Sequence, residues 1–185
     1  EEFGVDPSSY GPNAVMLQKT YERLNGLTRF FTMDTYVCFG SVNFYTDSTP
    51  DLLRECFRTV GLKSQTRGVT IVTGGNSGTG TTASAYDLAS DLGFQFLALV
   101  PSFDPSTGHL VGDKKDMEVS LDIPNGRFVE TNLNGGGVAR QVALAAMTAS
   151  LGFKAIVCEG GPGTKNELSI FTKCGGKTTA MINCS

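Results

Sequence analysis

The chain has 185 residues, of which 40% are hydrophobic and 18% charged, and its formal net charge is −3. This length fits one domain that can bury a sizeable core without disulfides, and the composition is too apolar for a disordered chain. Because no run of Lys or Arg appears, nucleic acid and anionic membranes are not expected as partners, and no stretch is long and apolar enough for a transmembrane helix.

The first part of the chain is rich in turn-forming residues, with one short helix expected over Ala14–Leu24. We treat residues 1–34 as an N-terminal extension, a candidate docking arm, and residues 35–185 as one domain. The run Thr35–Ser41 is short, apolar and rich in β-forming residues. It therefore predicts the first buried strand.

Strands and helices then alternate along the rest of the chain. Further strands are predicted at Val69–Thr73, Phe94–Val100, Arg127–Thr131, Ala155–Cys158 and Thr178–Asn183. Helices are predicted at Ser48–Gly61, Thr81–Leu92, Val138–Leu151 and Lys165–Lys173, whereas the polar segment Ser102–Gly126 predicts a long loop. About six strands in this pattern predict an α/β Rossmann-like, doubly wound parallel sheet, and we expect the strand order 3-2-1-4-5-6.

The five cysteines show no C-x-x-C pair, the spacing typical of zinc sites and thioredoxin-like centres, so no metal site is predicted. Cys38, Cys158 and Cys184 lie in or beside apolar runs, which predicts buried free thiols. We therefore expect a reduced intracellular compartment, either the cytoplasm or an organelle entered with a targeting segment that is later removed.

Two glycine-rich loops, Gly74–Thr82 and Glu159–Thr164, each join a strand to a helix. Glycine lets the backbone approach a ligand closely, and the N–H groups at a helix start favour an anion. Neither loop has the Gly-Lys-Ser/Thr of a P-loop or a clean G-x-G-x-x-G, so NTP hydrolysis and an ordinary dehydrogenase are not indicated. We expect the loops after strands one, two, four and five to converge at the carboxyl edge of the sheet, which brings Ser41 and Arg140 to the glycine loops.

A purely structural interpretation of these residues stays open. Glycine at such turns often serves packing alone, and Ser41 could be a plain turn residue. Arg140 could be a solvated helix residue, and Glu167 could serve only as a favourable partner of the helix dipole in the first turn of its helix. His109 stands alone in a polar loop, where a surface position is expected.

Four segments occur in an order that is typical of one family: Phe39–Ser41, Thr73–Gly80, Arg140-Gln141 and Glu159–Glu167. In that family the last segment reads Pro-Gly-Gly-x-Gly-Thr-x-x-Glu, and this chain matches it at every position except the first. By these motifs the chain resembles the LONELY GUY (LOG)-type nucleoside 5′-monophosphate phosphoribohydrolases, formerly described as lysine decarboxylase-like proteins. The resemblance spans residues 35–183 and implies the same Rossmann-like fold.

The resemblance also implies an activity, the cleavage of the N-glycosidic bond of a nucleoside 5′-monophosphate into base and ribose 5-phosphate. It implies catalytic roles for Glu167, the carboxylate that acts on sugar and water, and for Arg140, which meets the phosphate or orients Glu167. Contacts to phosphate or substrate would come from Ser41, Gly74, Gly75, Ser77, Gly78, Gly160, Gly161, Gly163 and Thr164. No cofactor is implied, and the family commonly forms homodimers.

Three features depart from the family pattern: Glu159 replaces Pro, Gln141 replaces Lys, and no further helical segment follows the sixth strand. The two substitutions add a negative charge and remove a cation near the expected phosphate, and both would weaken phosphate binding. Two alternatives therefore stay open. One is a nucleotide-binding module without turnover, and the other is a structural subunit of a larger, organellar assembly that docks through residues 1–34.

Overall fold

A computed structural model describes the chain in full at residues 34–41, 43–64, 68–74, 80–98, 141 and 144–184, together with residues 22 and 26. At residues 99–100, 103–104, 109–110, 126–130, 136–140 and 142–143 it describes the backbone alone. The predicted extension and its helix over Ala14–Leu24 therefore lie outside the described residues, apart from Glu22, Gly26 and Asp34.

The elements alternate between strand and helix, as the hydrophobic pattern predicts. The strands are β1 (Asp34–Phe39), β2 (Val69–Thr73), β3 (Gln95–Val100), β4 (Phe103–Asp104), β5 (His109–Leu110), β6 (Gly126–Glu130), β7 (Lys154–Cys158) and β8 (Lys177–Ile182). The helices are α1 (Thr49–Lys63), α2 (Thr81–Asp91), α3 (Gly136–Ser150) and α4 (Pro162–Lys173). Within the segment predicted as a long loop, β4 and β5 form a short antiparallel pair.

The other strands form one parallel sheet in the order β6-β3-β2-β1-β7-β8, which confirms the predicted Rossmann-like α/β class. From the central strand β1 the chain winds outwards through β2 and β3, and later outwards on the other side through β7 and β8. The sheet therefore changes winding direction between β1 and β7. Such a switch point leaves a crevice beyond the carboxyl ends of the two strands.

The predicted place of the fourth long strand was wrong. The order 3-2-1-4-5-6 placed that strand beside the first, whereas β6 pairs with β3 at the sheet edge and β7 lies beside β1. The connection over residues 101–125 is longer than the dozen or so residues that a parallel crossover needs, so β6 can return beside β3. The chain then crosses back to β7 through α3, which packs against α4 and contacts β3.

Helices cover both faces of the sheet. On one face α1 and α2 bury Leu53, Phe57 and Leu88 against the sheet, and on the other α3 and α4 bury Met147 and Phe171. This explains why the central strands read as nearly continuous apolar runs. The edge strand β8 differs, because four of its six residues are exposed.

Glycines end two of the helices where the sequence predicts it. Gly93 and Gly152 follow α2 and α3 with φ of +71° and +77°, a left-handed conformation that only glycine adopts without strain. The predicted end of α1 at Gly61 was wrong, because the helix continues to Lys63. A Cβ at Gly61 would lie 3.0 Å from the Phe94 ring, so this glycine serves the packing of the helix on the sheet.

Candidate functional site

Three strand–helix connections meet beyond the carboxyl end of β1. The Ser41 amide donates to the Glu159 carbonyl at 3.1 Å, which joins the connection after β1 to the connection after β7. The Thr81 amide donates to the Ser41 carbonyl at 3.0 Å, which adds the start of α2 that follows β2. The switch-point crevice is thus bordered by the β1–α1 loop, described at residues 40, 41 and 43–48, and by the β7–α4 loop, residues 159–161.

The Glu159 side chain joins the two borders of this crevice. One carboxylate oxygen, Oε1, accepts the backbone N–H groups of Tyr45 at 2.7 Å and Thr46 at 2.8 Å and the Thr49 hydroxyl at 3.0 Å. The other, Oε2, accepts the Thr46 hydroxyl at 2.5 Å. Glu159 is 6% exposed, so a nearly buried carboxylate is satisfied by three donors from the β1–α1 loop and one from the first residue of α1.

These donors decide the protonation state of Glu159. Burial alone would raise the pKa of the carboxyl group. The hydrogen bonds from the hydroxyl and amide of Thr46, the amide of Tyr45 and the hydroxyl of Thr49 favour the charged form more strongly, and together they hold the pKa below its ordinary value. Glu159 is therefore an anion at neutral pH, and its charge is directed at the β1–α1 loop.

A second tie holds the same loop from the end of β8. Asn183 lies directly after this strand with φ of +51°, and its Nδ2 donates to the Thr49 hydroxyl at 2.8 Å and to the Ser48 hydroxyl at 3.1 Å. The start of α1 is thereby attached to both β7 and β8. The Ser41 hydroxyl donates to the Asn43 carbonyl within the loop, so this predicted substrate contact also shapes the turn.

Two glycines allow threonines to pack directly over the strand ends. A Cβ at Gly40 would lie 2.1 Å from Thr81 Oγ1, and a Cβ at Gly160 would lie 2.1 Å from Thr164 Oγ1. No larger residue fits either place without displacing the first turn of a helix. Glycine at these two positions is therefore required by the close approach of α2 to β1 and of α4 to β7.

The starts of the helices around the crevice present backbone donors. No side chain caps α1 at Ser48, α2 at Gly80 or α4 at Gly161. The first N–H groups of a helix have no acceptor inside the helix, and with the helix dipole they attract an anion. In α4 the Pro162 nitrogen carries no hydrogen, which leaves the N–H groups of the next residues to play this part.

Helix α4 begins earlier than predicted, which changes the position of Glu167. The predicted start was Lys165, but the helix begins at Pro162, a residue that is favoured in the first turn. Glu167 therefore lies in the second turn, where the helix dipole acts more weakly than the predicted first turn implied. Its side chain is 5% exposed and shares the buried face of α4 with Thr164 and Phe171.

The start of α3 lies against the start of α4. A Cβ at Gly163 would lie 2.7 Å from the Gln141 amide nitrogen, and Asn166 Nδ2 donates to Gln141 Oε1 at 3.5 Å. Arg140 precedes Gln141 in α3, so its backbone reaches the same end of the helix pair. The Arg140 side chain lies outside the described residues.

The structure describes some of the predicted site residues and not others. Five of them lie around α4 and the end of β7: Gly160, Gly161, Gly163, Thr164 and Glu167. Ser41 joins them through the Glu159 carbonyl, and Gly74 lies buried at the end of β2. Gly75, Ser77 and Gly78 fall in residues 75–79, outside the described residues.

Sequence reasoning missed how Glu159 acts. It was interpreted as a charge beside a phosphate, whereas its carboxylate faces the β1–α1 loop. A signal was present, since a charged residue directly after a buried strand must find donors, and the loop after β1 is rich in hydroxyl groups. The contact between Asn183 and Thr49 gave no comparable signal, because the two residues are far apart in the sequence and meet only in the fold.

Burial disfavours the thiolate form of the cysteines near the crevice. All five cysteines are free, and Cys38 and Cys158 are buried as predicted, whereas Cys184 is only half-buried. Burial raises the pKa of Cys158 to about 12, an effect that the neighbouring Thr81 hydroxyl partly offsets, and it raises the pKa of Cys38 well above its ordinary value. Both thiols are therefore protonated at neutral pH. Because the thiolate and not the thiol is the nucleophile, neither is poised for attack.

Over the part of the chain that the structure describes, no group of three or more His, Cys, Asp or Glu side chains is arranged to hold a metal ion. Among the same residues, no helix is both long and apolar enough to span a membrane. Comparison of the sequence with known protein families and with curated proteins finds no match.

Proposed function

We propose that this chain binds a nucleoside 5′-monophosphate in the switch-point crevice, with the phosphate at the start of α4. The observation that carries the proposal is the junction of the β1–α1 and β7–α4 loops beside a helix start that no side chain caps. Gly160 and Gly161 precede this start, and a Cβ at Gly161 would meet nothing within 4 Å. An anion can therefore approach the first N–H groups of α4 closely.

The two substitutions that argued against phosphate binding carry less weight in this geometry. Glu159 directs its charge at four donors of the β1–α1 loop and of the first residue of α1, so it does not compete for the donors of α4. Gln141 brings an amide group to the first turn of α4 beside Gly163. This amide can donate a hydrogen bond where the family has a lysine, without its charge, and Arg140 keeps the cation of the preceding position.

Calorimetric titration of the four common nucleoside 5′-monophosphates, each beside its nucleoside, tests the binding. We expect the monophosphates to bind and the nucleosides to bind far more weakly. Thr164→Val, which keeps the shape of the side chain and removes its hydroxyl, should weaken monophosphate binding about tenfold, the value of one hydrogen bond of about 1.4 kcal/mol.

The matched control is Thr172→Val at the other end of the same helix, where the hydroxyl donates to Leu168 in the exposed last turns. It should leave the affinity unchanged. Equal binding of monophosphates and nucleosides, or equal loss in the two threonine variants, would contradict a phosphate site at the start of α4.

Hydrolysis of the bound nucleotide is a second candidate function, and the position of Glu167 favours it. Glu167 is 5% exposed and lies one turn beyond Thr164 on the same helix face, which supports a role on a sugar whose phosphate binds at the helix start. Such a carboxylate can stabilise an oxocarbenium-like ribose and position water. The Arg140 guanidinium would hold the phosphate or orient Glu167.

Chromatographic measurement of the free base released from the same monophosphates tests this second function. We expect release that Glu167→Gln abolishes and that Arg140→Ala reduces at least a hundredfold, because each removes a group that acts in the transition state. Binding without any release would reject the hydrolase and leave the nucleotide-binding module without turnover.

A further inference from the structure

Tyr45 is an exposed aromatic residue in the middle of the β1–α1 loop. Its relative exposure is 71%, the largest among the exposed large hydrophobic side chains of the described residues. A single exposed ring is normal on a protein surface, so exposure alone does not indicate a use. What distinguishes Tyr45 is its place in the loop that borders the switch-point crevice.

The backbone that carries this ring is held firmly although the ring is in solvent. The amides of Tyr45 and of the next residue, Thr46, both donate to Glu159, at 2.7 Å and 2.8 Å. The chain is fixed again four residues after Tyr45, at the start of α1, where the Thr49 hydroxyl donates to Glu159 and accepts from Asn183. A ring on such a backbone loses little conformational freedom when a ligand contacts it.

The same residue ties the backbone of Tyr45 to the start of α4. Glu159 lies two residues before Gly161, the N-cap residue of α4, and its side chain accepts the Tyr45 amide across the switch point. The backbone that carries the ring therefore lies on the border of the crevice opposite the start of α4. A ligand with its phosphate at α4 would extend its other end towards the opposite border.

We propose that the Tyr45 ring is the surface on which the base of the ligand stacks, and that Glu159 is the positioning residue that holds it there. The inference rests on the proposed function and deepens it, because it requires a phosphate monoester that carries an aromatic base. A flat ring offers stacking to every base, so this contact selects for the presence of a base more than for its identity.

The test compares two ligands that differ only in the base, AMP and ribose 5-phosphate, by calorimetric titration. Tyr45→Ala should weaken AMP binding about 5- to 100-fold, the usual worth of one base–aromatic stack, and should leave ribose 5-phosphate within about twofold. Tyr45→Phe should retain the AMP affinity, because the ring and not the hydroxyl makes the contact. Met181→Ala, which removes another exposed side chain from β8, is the control that should change neither affinity.

The positioning role of Glu159 is tested in a double-mutant cycle. Glu159→Ala should weaken AMP more than ribose 5-phosphate, and combined with Tyr45→Ala it should add little to the loss of AMP affinity, because both changes remove the same contact. Added formate should restore part of the AMP affinity of Glu159→Ala, because its carboxylate can accept hydrogen bonds from the N–H groups of the loop. Added chloride should not restore the affinity. Glu55→Ala, on the exposed side of α1, is the matched control.

The outcomes separate this inference from the function on which it rests. Equal weakening of both ligands by Tyr45→Ala, or no weakening of either, would overturn the stacking role and leave the phosphate site intact. Additive losses in the double variant would overturn the positioning role. Absence of binding of both ligands to the unmodified protein would overturn the proposed function and the stacking role together.

Discussion

Glu159 shows how one side chain can serve stability and geometry together. Because hydrogen bonds hold its pKa below the ordinary value, the folded state prefers the charged carboxylate more than the unfolded state does. The stability that results is fully present above the pKa of an unfolded glutamate, about 4.3. It is lost as the pH falls from there through the lower pKa of the folded state.

Glu159→Gln should therefore destabilise the protein at pH 7 and much less at pH 3. Urea unfolding of both proteins between these pH values measures the difference. The thiols of Cys158 and Cys184 lie close enough to Glu159 to interact with its charge, but they stay protonated over this range and do not titrate with it. A stability difference that does not change with pH would show that the carboxylate does not make these bonds as an anion.

Gly40 supports a prediction about close packing at the strand ends. Gly40→Ala should destabilise the fold by about 1–3 kcal/mol, because the added methyl group would meet Thr81 Oγ1 at 2.1 Å and force the start of α2 away. Gly161→Ala is the matched control, since its Cβ would contact nothing within 4 Å. Chemical unfolding that ranks the two variants equally would contradict the close approach of α2 to β1.

At the scale of the elements, α4 is the helix on which the candidate site depends. Its Phe171 is fully buried, meets the Phe39 ring edge-on at a centroid distance of 5.4 Å, and packs against Gly176 in the turn that follows. These contacts attach the far end of α4 to β1. They keep the start of the helix in place beside the switch point.

Phe171→Ala should cost about 3–5 kcal/mol of unfolding free energy, the range for removal of a fully buried phenylalanine. Substitution of the exposed neighbour Thr172 by Ala should change it by less than about 0.5 kcal/mol. Thermal and urea unfolding provide both values. A small effect of Phe171→Ala would mean that the core between α4 and β1 can close around the space left behind.

The element boundaries show what a sequence can and cannot provide. The central strands were predicted well, because burial on both faces makes them continuous apolar runs, and Gly93 and Gly152 marked two helix ends correctly. The start of α4 was missed because Pro162 and Gly163 suggest a loop, although proline suits the first turn of a helix. Gly61 was misjudged because the Phe94 ring that requires it lies far along the chain, directly before β3.

At the scale of the whole molecule, the class of fold was predictable and the arrangement of the strands was not. Alternating strands and helices determine a parallel, doubly wound sheet, but nothing local decides whether β6 lies beside β1 or beside β3. The Glu159 contacts escaped prediction for the same reason, since the Thr49 hydroxyl is 110 positions away in the chain. The expected homodimer stays a prediction, which sedimentation equilibrium would test.

A ligand at the candidate site should stabilise the whole domain. Because the crevice is built from loops that meet only in the folded state, a bound monophosphate at a hundred times its dissociation constant should add about 2.7 kcal/mol to the free energy of unfolding. Thermal unfolding with and without AMP measures this, and the corresponding nucleoside serves as the control. No shift in the presence of saturating AMP would contradict a site formed only on folding.

The bridge that Glu159 makes to the amides of Tyr45 and Thr46 has a consequence for how the crevice behaves in time. A surface loop normally exchanges its amide hydrogens with solvent quickly, but these two amides donate hydrogen bonds to a nearly buried carboxylate. They should therefore exchange slowly even in the absence of any ligand. The entropy of ordering this loop is then lost once, when the protein folds, and need not be lost again when a ligand arrives.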